Sequence, residues 1–108
     1  MAQKLTQKLG PFTVIPLNHR SAKSISVGEH GMEEVMRGTK TESHTHGFLS
    51  LYLAVGLVLS SGGKEYKLPP RALVIVPPGT DHSWTPACKS GKVGSIDQRH
   101  KKQILLAA

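Results

Sequence analysis

Cysteine is almost absent from this chain: one of its 108 residues, Cys88, carries a thiol. A single cysteine excludes an internal disulfide framework and a cysteine-based zinc cluster, and with them the small secreted proteins that depend on either. Aromatics are scarce too, at 5% of residues (Phe12, Phe48, Tyr52, Tyr66 and Trp84). They are not interleaved with basic side chains, so no platform for stacking nucleic-acid bases is visible. Long apolar runs are missing. The longest nearly apolar stretch, 48–59, holds 12 residues and includes Ser50 and Gly56, against about 20 for a helix that spans a bilayer. The opening MAQKLTQKLGPF lacks the uninterrupted apolar segment of a secretory signal. The expectation is a cytoplasmic protein with no membrane association.

Acidic residues are few as well. Seven Asp and Glu stand against 14 Lys and Arg, a net charge of +7. The basic residues are scattered from Lys4 to Lys102, and their one dense cluster is Arg99-His100-Lys101-Lys102. Such a distribution serves solubility or the attraction of a small anion better than it serves a nucleic-acid surface. Nucleic acid is therefore not expected as a partner. Hydrophobic residues make up 38% of the chain, enough for one core in one domain over residues 1–108.

What is abundant is punctuation. Gly 11 and Pro 7 fall in short clusters throughout and leave segments of about 5–10 residues, the length of strands rather than of helices. Candidate strands are 12–17, 23–27, 33–37, 39–46, 48–55, 57–60, 64–68, 72–76, 83–85 and 92–96. Ser60-Ser61-Gly62-Gly63 between two of them reads as a hairpin turn, because glycine supplies the positive φ such turns require. Many short strands closely spaced predict an all-β sandwich or barrel. The tail, 98–108, is compatible with a short helix, a strand or a frayed end.

Six histidines are present, and two of them, His44 and His46, are separated by one residue. On a strand, residues two apart share a face, about 6.6 Å apart at Cα. Two imidazoles so placed can converge on one ion, although a solvated strand face would carry the same pattern. His82 adds a third ring. It follows Val74-Ile75-Val76-Pro77-Pro78-Gly79-Thr80-Asp81, an apolar strand ending in a turn that proline and glycine hold in one shape. His19, His30 and His100 belong to no constellation, and Cys88 reads as an incidental thiol.

These stretches resemble the two motifs of the cupin superfamily. Gly38, five residues and His44-Thr45-His46, with Gly56 as the closing glycine, match the first motif. Pro77-Pro78-Gly79-Thr80-Asp81-His82 match the middle of the second, so the resemblance covers 38–82. It implies a small cupin-type β-barrel, the double-stranded β-helix or jelly roll. The chain departs from the motifs at several places: Leu49 or Ser50 stands where the family has a liganding glutamate, Arg71 replaces a glycine and Pro86 an asparagine. Without the glutamate, the resemblance narrows to three-histidine variants such as thiol and β-diketone-cleaving dioxygenases. It then implies a divalent transition metal on His44, His46 and His82. Imidazole suits Fe, Mn, Ni, Cu and Zn alike, so the ion is not chosen.

Around that centre, Glu42 shares the predicted strand face of His44 and His46 and could act as a displaced carboxylate ligand, orient a histidine or pair with a nearby lysine. Tyr52 and Trp84 read as packing residues, with Trp84 one strand step past His82 and able to line the cavity. Arg71 or Arg37 could hold an acidic substrate. The implied chemistry is an oxygenation, isomerisation or lyase step on a small polar or anionic molecule. The competing reading is a metal-free module, since 48–84 also resembles the effector-binding cupin domains of arabinose-regulator-type transcription factors. A homodimer is expected in either case, through 12–17 and the 49–55 face.

Overall fold

The computed structural model describes residues 6–18, 20, 32–36, 47 and 49–96. Its elements there are nine strands: β1 (Gln7–Leu9), β2 (Phe12–Pro16), β3 (Glu33–Met36), β4 (Ser50–Val55), β5 (Leu57–Ser61), β6 (Lys64–Lys67), β7 (Arg71–Val76), β8 (Ser83–Pro86) and β9 (Ser90–Ser95). They form two antiparallel sheets, one ordered β1-β2-β7-β4-β9-β3 and the other β6-β5-β8. The predicted strands at 23–27 and 39–46, and the tail at 98–108, lie outside the described residues.

Composition explains the strand order. In β4 and β7 nearly every side chain is apolar, and these strands sit at the centre of the large sheet with both faces covered. Even-numbered Tyr52, Ala54, Ala72, Val74 and Val76 point inward and pack against Leu57, Leu59 and Trp84 of the small sheet. Odd-numbered Leu51, Leu53 and Leu73 form a second cluster with Ile96 on the outer face. Each fully buried aliphatic side chain contributes about 1.5–3 kcal/mol. Polar strands go to the edges: Gln7-Lys8-Leu9 at one end of the large sheet and Lys64-Glu65-Tyr66-Lys67 at one end of the small one.

Glycines set the reversals. Gly62 and Gly63 (φ 56° and 82°) form the two-residue link between β5 and β6, both in the positive-φ region that a type I′ turn demands. Gly56 (φ 64°) passes the chain from the large sheet into the small one, donating its N–H to Pro70 and accepting from Ala87. Gly91 crosses directly beneath it. A Cβ there would stand 2.5 Å from the Gly56 carbonyl oxygen and 2.7 Å from that of Val55, so glycine alone lets β9 approach this corner.

β1 has no counterpart among the predicted strands. Its three polar-rich residues show no alternation, and they pair only because Gly10 (φ 58°) folds them back on Phe12 to Val14. Among the described residues no helix is long and apolar enough to cross a membrane.

Candidate functional site

Among the described residues, one imidazole lies buried between the two sheets. His82 immediately precedes β8, and its side chain is 0% exposed. Pro77-Pro78-Gly79-Thr80 makes the approach. Thr80 N–H donates to the Pro77 carbonyl (3.3 Å), with proline at the second turn position and Gly79 (φ 71°) at the third, the residue pattern of a type II turn. That turn delivers the Thr80 carbonyl oxygen to 2.9 Å from His82 Nδ1.

A carbonyl oxygen only accepts, so Nδ1 carries the hydrogen. In the neutral ring the lone pair then belongs to Nε2, which lies 3.2 Å from the Tyr52 hydroxyl. Phenol donates and imidazole accepts. Burial pushes the Tyr52 phenol above its ordinary 10.0, an effect that the Ser50 hydroxyl partly offsets. Tyr52 therefore remains a protonated donor at neutral pH. The Ser50 hydroxyl is near enough to act on the phenol, but it completes no hydrogen bond of acceptable geometry, and it is buried.

Aromatic rings wall this polar point. The Tyr52 and His82 centroids are 5.5 Å apart, Tyr52 and Trp84 5.3 Å, and His82 and Trp84 6.4 Å, all tilted or edge-on, the arrangement that ring quadrupoles favour. Strand alternation accounts for the grouping. His82 and Trp84 are two apart, as are Ser50 and Tyr52, and both pairs point between the sheets.

The structure thus brings together His82, Tyr52 and Trp84 of the expected site. Arg71 does not join them: it opens β7 in the same phase as Leu73 and Ile75, on the outer face. His44, His46 and Glu42 lie outside the described residues, as does Arg37. Among the described residues no group of three or more His, Cys, Asp or Glu side chains could hold a metal ion. Two participants escaped the sequence reading. The Thr80 carbonyl is a main-chain atom that no residue pattern advertises. In the sequence Ser50 reads as a replacement for a glutamate and carries no sign of being a buried hydroxyl beside a phenol.

Of the stretches expected to form a two-fold interface, Phe12 and Val14 belong to the interior core. Leu51 and Leu53 are already 2% and 6% exposed in the single chain. Ile15, Pro16, Leu17, Leu49 and Val55 are the half-buried apolar residues of those stretches.

No protein-family model, curated protein or solved structure matches this chain. A function must therefore be argued from the site.

Proposed function

We propose that this chain is a small cupin-type barrel that binds a divalent transition metal through His82 together with His44 and His46, and that it acts on a small polar or anionic substrate. The observation that carries the reading is the anchoring of His82. Its Nδ1–H is held by the Thr80 carbonyl at 2.9 Å, which leaves the Nε2 lone pair directed between the sheets. Liganding histidines are oriented in this way, by a hydrogen bond from the opposite ring nitrogen. The two antiparallel sheets and the motif spacing at 38–82 agree with it. When bound, the ion would supply Lewis acidity and open positions for substrate. The protein's own part is to orient the imidazole, to offer the Tyr52 O–H as a hydrogen-bond donor beside it, and to exclude water with Trp84 and the aliphatic core.

A second reading has an observation of its own. Tyr52 already occupies Nε2, and the rings around it give the imidazole an apolar, aromatic surround, the kind of lining that suits an organic effector held without metal. Elemental analysis separates the two, on full-length protein purified without added metal or a histidine tag. The metal reading expects a stoichiometric transition metal that is lost in His82→Ala and in the near-isosteric His82→Gln, with both variants still folded by circular dichroism. A folded, metal-free wild type that co-purifies with an organic molecule refutes it and supports the effector reading.

A further inference from the structure

Strand β8 presents a second set of side chains to the opposite side. His82 and Trp84 face the core, so Asp81 and Ser83 face away from it, into a cleft of about 460 Å³ against the β5–β6 hairpin. Register defines its floor. Ser60 pairs with Glu65 on one side and with Ser83 on the other. The alternate positions, Leu59, Tyr66 and Trp84, pack into the interior, which turns the row Glu65–Ser60–Ser83 outward. Asp81 closes one end, where its Oδ2 accepts the Gly62 N–H at 3.3 Å and is thereby tied to the hairpin tip. Lys64 also borders the cleft, but it pairs with Ser61 one step out of phase with Glu65 and belongs to the other side of β6.

The Ser60 hydroxyl is the unexplained group. The residue is 5% exposed, and its Oγ makes no hydrogen bond, a destabilising state for a buried polar atom. Its strand phase aims it at a cleft to which the described residues of the floor contribute two carboxylates and two hydroxyls. On a chain of net charge +7, two carboxylates on one cleft favour a cation over an anion. Among the described residues no aromatic or thiol lines the cleft, which disfavours soft metals and aromatic-caged ammonium groups. Its volume exceeds that of a bare ion and accommodates one that keeps several waters, each occupying about 30 Å³. Mg²⁺ binds through one or two carboxylates and retained water, and Ca²⁺ through a larger shell of carboxylate, other oxygen and water ligands.

We propose that this cleft is a second site, separate from the His82 site, for a hard divalent cation of the Mg²⁺/Ca²⁺ class, with Glu65 and Asp81 as its charged ligands and Ser60 as a neutral one. So few charged ligands predict a weak site, with Kd on the order of 10⁻⁴–10⁻³ M. The test is calorimetric titration of the full chain with CaCl₂ and with MgCl₂ in chelator-treated buffer at constant ionic strength. One saturable site is expected for at least one of the ions. Glu65→Gln, an exposed and conservative change, should weaken it about tenfold or more, Ser60→Ala should weaken it about threefold, and His82→Gln should leave it unaltered. Absence of saturable binding up to about 20 mM of either ion, or wild-type affinity in Glu65→Gln, overturns the proposal. Loss of binding in His82→Gln instead assigns the ion to the interior and overturns it as well.

Discussion

Exchanging Tyr52 for phenylalanine tests a single oxygen atom. The ring, its packing on Trp84 and its place in the core stay as they are, while the O–H donated to His82 Nε2 is lost. A net intramolecular hydrogen bond is worth about 0.5–1.5 kcal/mol. At 3.2 Å this one is longer than the best hydroxyl bonds, so the expected loss is about 1 kcal/mol at neutral pH. For a domain of this size that lowers the melting temperature by about 4 °C. The same substitution has an alkaline signature. Burial raises the Tyr52 pKa above 10.0 in the folded chain, so on raising the pH the unfolded phenol ionises first. The stabilisation is complete below pH 10 and is lost between pH 10 and the higher folded value, with a limiting slope of about 1.4 kcal/mol per pH unit. Phenylalanine has no proton to lose. Urea denaturation of both proteins from pH 7 to 11 should show the variant weaker at pH 7 and the gap closing, then reversing, above pH 10. A gap that stays constant across that range, or a variant as stable as wild type at pH 7, refutes the assigned hydrogen bond.

Three other substitutions probe the frame around the site. Gly91→Ala places a methyl group against the Gly56 and Val55 carbonyls; because backbone cannot step aside, thermal unfolding should show a loss at or above the top of the usual overpacking range of about 1–3 kcal/mol. Ser50→Ala removes a buried hydroxyl that makes no hydrogen bond, so denaturation should show stability unchanged or raised by about 1 kcal/mol, and a clear loss would mean that the hydroxyl has a partner. Leu59→Ala, at a site with 0% exposure between the sheets, should cost about 2–5 kcal/mol in the same assay.

The site was partly legible before any coordinates. His82 stood out because Pro77-Pro78-Gly79 restricts the backbone so strongly that the next polar side chain has a defined position. Tyr52 reads as a packing residue of an apolar strand, and Trp84 as a packing residue able to line a cavity because it lies one strand step past His82. Their contact with the imidazole was not readable, since it joins β4 to β8 across 30 residues of chain. Arg71 shows the opposite failure. A lone arginine near a motif invites an anion-binding role, yet the phase of its strand sets it with the outward-facing residues.

Local physics, written in residue order, determined that this chain would be strands and turns: glycine and proline at short intervals, apolar runs too short for a bilayer, and Gly62-Gly63 where a tight hairpin was required. It determined also that His82 would follow a stiff turn. Tertiary structure alone decided which strands lie at the centre, because neighbours across a sheet are chosen by the burial of both faces and not by distance along the chain. It likewise recruited Gln7-Lys8-Leu9 as an edge strand, gave Thr80 a carbonyl partner in the imidazole, and left Ser50 and Ser60 as buried hydroxyls without hydrogen bonds. Whether a polar atom finds a partner depends on what the rest of the fold brings to it, and no residue carries that information alone.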